Sequence, residues 1–402
     1  MGVSDASQKL AEQEISNPTP SKKRLALFLD GTWNDTDDNT SVWRLRSLCA
    51  PTGRDGIPQA IYYDSGVGTQ VGERVLGGMF GIGIDQNVRK AYEWLVENYE
   101  DGDGIFIFGF SRGAFTARSL AGMLSICGLA KPGAPLGVGQ IYTRYRHIDR
   151  NHKSIRAIAE AAKAGTSPQS LEEKWVLRFS RPVDITMIGV WDTVAALDMP
   201  GIGIHEFLDP NLRQDTLNAF HALAIDENRH KFAPTPWTQS RPVANGQPEI
   251  RRDFSSVEQR WFVGAHANVG GGYPSDDLPQ IPLQWLAGKA EALGLTLRDT
   301  IEVDSGAELA PIADSYASFL AGSYRLASPR YHRPIGRPPV ELEGYWVATI
   351  NETIDASVFK RWQSDPQYRP EGLKTWASRF GFNLGTACNA VRADDPSLAL
   401  KR

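Results

Sequence analysis

Short, nearly uninterrupted apolar runs recur along this chain, separated by stretches whose apolar side chains return every three or four positions. The runs cover Arg24 to Leu29, Gln59 to Tyr63, Ile105 to Phe108, Asp184 to Val190 and Glu258 to Val263. All five are expected to be strands, and the near-continuous β-branched and apolar character of Asp184 to Val190 is that of a strand covered on both faces. Asp85 to Tyr99 is different: Val88, Tyr92, Leu95 and Val96 form one helical stripe, with Lys90, Glu93 and Glu97 elsewhere. Ala114 to Ile126 and Pro282 to Leu293 also read as helices. Strands alternating with helices predict an α/β fold: a doubly wound, mostly parallel sheet with right-handed crossovers and helices on its faces.

Two regions break this rhythm. Residues 129–182 start Pro- and Gly-rich, pass through Tyr142, Arg144, Tyr145, Arg146 and His147, and contain a helix-like Ala-rich run; they are expected to form a cap insertion. From about Thr300 the pattern becomes irregular, so residues 301–402 are expected to form a C-terminal lobe packed on the core. The main domain is then 24–300. Residues 1–23 are polar and predict a flexible tail. They contain no apolar h-region, so no standard secretory signal is expected. No apolar run approaches the roughly 20 residues that cross a bilayer. Cytoplasmic synthesis is expected, with any membrane contact peripheral and any export by a machine that reads no N-terminal signal. The three cysteines, Cys49, Cys127 and Cys388, are far apart and lack metal-ligand spacing, which argues against a disulfide framework and a structural zinc site. A net charge of −4 gives no reason to expect nucleic acid as a partner.

The candidate chemistry sits at Gly109-Phe110-Ser111-Arg112-Gly113. A G-x-S-x-G sequence between a strand and a helix is the setting of a nucleophile elbow, where a sharp turn holds the serine hydroxyl clear of the backbone. Gly109 and Gly113 keep side chains out of that turn. Ser111 is therefore the expected nucleophile. Its base needs a partner that fixes the tautomer, and in doubly wound hydrolases the order is Ser, acid, His. Asp192 directly follows the Ile185 to Val190 run and is the acid candidate; a helix N-cap is its bland alternative, and Asp198 and Asp226 are rivals. His266 follows the Glu258 to Val263 strand and precedes three glycines, and is the base candidate. His205, His221 and His230 compete with it. His221 and His230 flank Ala222 to Asn228, which looks helical, and are expected to serve packing or capping. Oxyanion donors are expected from the amide of Arg112 and from Gly31 or Thr32. This chemistry needs no metal or organic cofactor.

Two other patterns invite different readings. Leu25 to Asn34 ends in Asp30-Gly31-Thr32, like a phosphatase with an aspartyl nucleophile, but Thr32 stands where that chemistry needs a second acid. Asp30 is read instead as a turn residue orienting its loop. The glycine-rich stretch Gly66 to Gly83 lacks the Gly-Lys-Ser/Thr ending of a phosphate-binding loop and is read as a mobile loop near the pocket mouth.

Several blocks together resemble one family: Leu27-Phe28-Leu29-Asp30-Gly31-Thr32-Trp33-Asn34, Tyr63-Asp64-Ser65-Gly66-Val67-Gly68-Thr69, Gly109 to Ala114, Trp191-Asp192-Thr193-Val194, Ala224 to Arg229, and Val263 to Tyr273. They are similar to the α/β-hydrolase family that includes the type VI secretion phospholipase effectors. The resemblance implies an α/β-hydrolase-like fold and a serine hydrolase of lipase or phospholipase type. It assigns Ser111, Asp192 and His266 as the triad and an ester or phospholipid as substrate. It also implies a secretion-system or immunity partner. Asn268 stands where the family often has aspartate. A catalytically silent binding or scaffold protein, and an esterase for a non-lipid ester, are the alternative functions.

Overall fold

The computed structural model describes residues 23–31, 39–66, 80–147, 153–168, 170–194, 212–213, 215–246, 252–274 and 277–400. Residues 1–22 of the expected tail, Thr32, residues 67–79 of the glycine-rich stretch, Asp198 and His205 lie outside the described residues.

Eight strands form the central sheet: β1 (Arg24–Leu29), β2 (Gln59–Asp64), β3 (Gly104–Phe110), β4 (Met187–Trp191), β5 (Ala219–Ala224), β6 (Val257–Phe262), β7 (Glu352–Ile354) and β8 (Val391–Arg392). Their order is β8-β7-β6-β5-β4-β3-β1-β2, and every pairing is parallel except β7 with the edge strand β8. The fold is thus α/β with a mostly parallel sheet.

The near-continuous apolar strands follow from helices on both faces. Leu25, Leu27 and Leu29 of β1, with Ile105 and Ile107 of β3, join Val88, Tyr92 and Leu95 of α2 (Phe80–Asn98) and Leu120 and Leu124 of α3 (Arg112–Cys127). The alternate residues Ala26, Phe28, Phe106 and Phe108 point the other way, to Val42 and Leu45 of α1 (Ser41–Leu48) and Leu283 and Leu286 of the helix Asp277–Ala292. Phe28 and Phe108 stack across neighbouring strands at 5.1 Å between ring centroids. Each fully buried Leu, Ile, Val or Phe among them contributes about 1.5–3 kcal/mol.

The chain leaves β1 toward β2 on one side and reaches β3 on the other. That reversal opens a crevice at the carboxyl ends of β1 and β3, the usual ligand position in open α/β sheets. Ser111 stands there, between β3 and α3.

Three differences from the sequence reading matter. Ala219–Ala224 is a strand where the sequence suggested helix from Ala222. Flanked by β4 and β6 and wholly buried, it shows tertiary context overriding alanine's helical preference. Second, the described residues of 129–182 pack away from Ser111. Helix α4 (Val138–Arg146) packs on α2 and α3, α5 (Ile155–Lys163) on α3, and α6 (Leu171–Phe179) on α5, toward the strand ends opposite the serine. Tyr142 and Arg146 bond Asp85 of α2, and Arg181 bonds Asp101 and the Tyr99 carbonyl. Third, residues 301–402 do more than pack on the core, because they supply β7 and β8 to the sheet itself. Among the described residues no helix is long and apolar enough to cross a membrane.

Candidate active site

Ser111 has φ 57 and ψ −118, a backbone conformation rare outside glycine. The turn is tight on both sides. A Cβ on Gly109 would lie 2.5 Å from the Gly113 carbonyl oxygen, and one on Gly113 would overlap the Leu29 and Asp30 carbonyls. The serine amide donates to the Trp191 carbonyl (3.1 Å) and its carbonyl accepts from the Phe115 amide (3.2 Å), which ties the turn between β3 and α3 to β4.

Asp192 directly follows β4, also with positive φ (39°), and His266 opens the short helix α7 (His266–Gly270) just past β6. The structure brings these three sequence-selected side chains together. His266 Nε2 lies 2.8 Å from Ser111 Oγ, and His266 Nδ1 lies 2.6 Å from Asp192 Oδ2. An ionised carboxylate only accepts, so Nδ1 carries the imidazole proton and Nε2 accepts from the serine hydroxyl. The imidazole is wedged between Phe110 (4.7 Å) and Phe232 (5.1 Å), and Ser111 and His266 are only 8% and 6% exposed.

Asp192 is saturated with donors. Oδ1 accepts from the Ala224 amide (3.0 Å) and Arg333 Nη1 (2.6 Å), and Oδ2 from Arg333 Nη2 (3.0 Å) besides His266. Burial alone would raise this carboxyl. The Arg333 charge and the bond to His266 overcome it and hold Asp192 well below the usual carboxylate range. For His266 burial dominates and lowers the imidazole below its ordinary value, against the pull of Asp192.

Neighbouring groups hold the base loop. Glu227 Oε2 accepts from the His266 amide (3.2 Å) and Ser315 Oγ (2.9 Å), while Arg229 grips the same carboxylate and lies over the Phe232 ring. Asp226, the rival acid, bonds the Gly264 amide (2.7 Å) and Tyr368 OH (3.1 Å) instead of the imidazole. Asn268 Oδ1 accepts from the Ala265 and Ala313 amides (3.1 Å each), so its oxygen does what an aspartate's would do there, without the charge. His221 sits in β5 and accepts from the Thr193 amide through Nε2 (3.1 Å); its ring is pushed down to about 3 by burial, with the Arg118 charge adding. His230 lies in a 3-10 turn, ring edge against Tyr331.

Of the expected oxyanion donors, Arg112 opens α3 directly after Ser111, where helix amides and the helix dipole favour negative charge. The Gly31 amide is engaged within its own loop, donating to Asp30 Oδ1 (2.7 Å), and Thr32 lies outside the described residues. Asp30 Oδ2 accepts from Thr40 Oγ1 (2.5 Å) and Tyr63 OH (3.2 Å). Asp30 thus orients its loop by engaging the amide that an oxyanion would need. Among the described residues no cluster of three or more His, Cys, Asp or Glu is placed to hold a metal ion.

Arg333 is the participant that sequence reasoning missed. It is 1% exposed and also donates to the Ala224 and Phe232 carbonyls (2.8 and 2.5 Å). Nothing local separates it from Arg330 or Arg337; only the fold carries it 141 positions back to Asp192.

The family described as T6SS phospholipase effector Tle1-like, catalytic domain, matches residues 23–289. An uncharacterised protein of Saccharomyces cerevisiae is 28% identical over 324 residues, 69% of this chain and 44% of its own length, so the chain spans less than half of that relative. A crystal structure of an uncharacterised Pseudomonas aeruginosa protein aligns with 76% of this chain and 51% of its own at 17% identity and a TM-score of 0.42. The structure of the Tle1 effector bound to the VgrG spike of the type 6 secretion system aligns with 67% and 54% at 18% identity and a TM-score of 0.33.

Proposed function

We propose that this chain, which belongs to the Tle1-like catalytic-domain family of type VI secretion phospholipase effectors, is a serine-dependent carboxylic-ester hydrolase of lipase or phospholipase type. The observation that carries the reading is the series Ser111 Oγ, His266 Nε2, His266 Nδ1, Asp192 Oδ2, with both gaps at hydrogen-bond length. A serine hydroxyl is a weak nucleophile until a base takes its proton. In the proposed cycle His266 takes that proton as Ser111 Oγ bonds the ester carbonyl carbon. The carbonyl oxygen gains negative charge beside the Arg112 amide. As the C–O bond breaks, the leaving alkoxide takes the proton from His266, and the acyl group stays on Ser111. Water then gives a proton to His266 and attacks the acyl carbon. The carboxylic acid leaves as Ser111 recovers the proton. Asp192 accepts from Nδ1 throughout and favours the transient imidazolium.

The phospholipid substrate is carried by family membership, which also supports a secretion-system partner. The test is a mass-spectrometric lipid assay on phospholipid vesicles, run beside a soluble nitrophenyl ester, with wild type and Ser111→Ala. Fatty acid and lysophospholipid from the wild type alone is the expected result. Hydrolysis of only the soluble ester would point to a non-lipid substrate. No hydrolysis of either would favour a binding or scaffold protein.

A further inference from the structure

The catalytic reading accounts for Asp192 and His266 but leaves a fully buried cation, fixed to Asp192 by two bonds, without a task. Arg333 comes from beyond residues 23–289. It precedes Pro334, which favours an extended backbone at Arg333, and Ile335 behind it is buried. Gly336 is tied through its amide to Glu352 (2.9 Å), which also accepts from Trp261 Nε1 (2.8 Å). The guanidinium therefore arrives on a clamped segment. Its two terminal nitrogens each bond one carboxylate oxygen and one backbone carbonyl, a planar fork that a lysine cannot reproduce.

We propose that Arg333 is the positioning residue of the catalytic acid: it aims the Asp192 carboxylate at His266 and balances its charge, so that the imidazole stays neutral and ready to accept the serine proton. The argument is a charge count in a dry site. Asp192 and Arg333 together are neutral, and His266 then has no need of a second proton. Without the guanidinium, the buried carboxylate is balanced most readily by a proton on the Asp192–His266 pair, and a protonated pair cannot act as a base. The other groups facing the pair do not replace that balance. Glu227 and Arg229 neutralise one another, His221 is neutral, Arg118 lies over the Trp237 ring and bonds the Thr235 carbonyl, and Asp226 would add a negative charge.

This inference rests on the esterase reading but has its own readouts. Labelling of Ser111 by a fluorophosphonate probe is followed against pH in the wild type, Arg333→Lys and Arg333→Met, with folding checked by circular dichroism. Arg333→Met is expected to move the acid limb of the labelling rate up by about one pH unit or more and to slow labelling at neutral pH at least about tenfold. Arg333→Lys keeps the charge and loses the fork, so its limb stays near the wild type while its rate falls. An Arg361→Met control removes a buried arginine that bonds the Glu308 and Ala310 carbonyls, pairs with half-buried Asp365 and lies over the Tyr368 ring, and should leave the limb in place. A folded Arg333→Met protein with the wild-type limb overturns the proposal, whatever its rate. If Arg333→Met does not fold, the downfield proton resonance of His266 Nδ1–H in the wild type decides: an imidazole that charges below the ordinary value of about 6.5 supports the proposal, and one that charges at or above it overturns it. A wild type that takes no label contradicts the esterase reading, and the His266 titration then judges Arg333 by itself.

Discussion

His266 Nε2 stands 2.8 Å from Ser111 Oγ, although 155 positions separate the two residues. Ser111 reaches that place only by adopting φ 57 at the end of β3, a conformation that costs about 1–3 kcal/mol in a non-glycine residue. Substitution at position 111 should therefore separate activity from stability. Ser111→Ala is expected to lower ester hydrolysis by about 10⁴-fold or more. Ser111→Gly should be equally inactive yet more stable by about 1 kcal/mol, because glycine adopts that backbone without strain. Urea unfolding of both variants checks this. A glycine variant less stable than wild type would count against strain at the elbow.

The elbow also constrains Gly113, whose Cβ position is occupied by the Leu29 and Asp30 carbonyls. Gly113→Ala should destabilise by at least about 2 kcal/mol, since rigid backbone must move. Gly288, in the helix Asp277–Ala292, has open space at the same position. Gly288→Ala should stabilise by about 0.5–1 kcal/mol. Denaturant midpoints of the two proteins should move in opposite directions.

Acid should destabilise the fold partly through His221. Its folded-state value of about 3 lies below the ordinary 6.5, so between those pH values the unfolded chain binds the extra proton and the folded chain does not. Stability from this group is thus complete above about pH 6.5 and lost as pH falls toward 3. Asp226, pushed up to about 6 by burial, contributes the opposite slope, but it is present in both proteins being compared. His221→Gln can still accept from the Thr193 amide. It is expected to lose less stability than wild type between pH 6.5 and 4 in parallel urea titrations, and an identical loss would contradict this.

The C-terminal residues are part of the catalytic fold. Trp261 bonds Glu352, β6 pairs with β7, Asn268 bonds the Ala313 amide, and Arg333 fixes Asp192. A chain ending at residue 300 leaves those buried partners unsatisfied, at about 1–3 kcal/mol each. It should give no cooperative melt by circular dichroism. A folded, fluorophosphonate-reactive fragment would contradict this.

Much of the arrangement was legible in the sequence because the signals are local. Ile105 to Phe108 followed by G-x-S-x-G marks a strand and a sharp turn, and Asp192 and His266 each follow a short apolar run. What escaped depends on distant contacts. Ala219–Ala224 carries alanine and leucine that suit a helix as well as a buried strand, and only its place between β4 and β6 decides. β7 and β8 are three and two residues long, too short for any periodicity to show. The Gly31 amide looked available because the sequence does not show where the Asp30 side chain turns. Arg333 has no local mark at all.

The reactivity of one hydroxyl tests the catalytic reading most directly. Folded wild-type protein is treated with a fluorophosphonate probe and the labelled peptide is identified by mass spectrometry. One label per chain, on Ser111, lost in His266→Ala, is the expected result. Folded protein that takes no label, or takes it elsewhere while Ser111 stays unmodified, would contradict it.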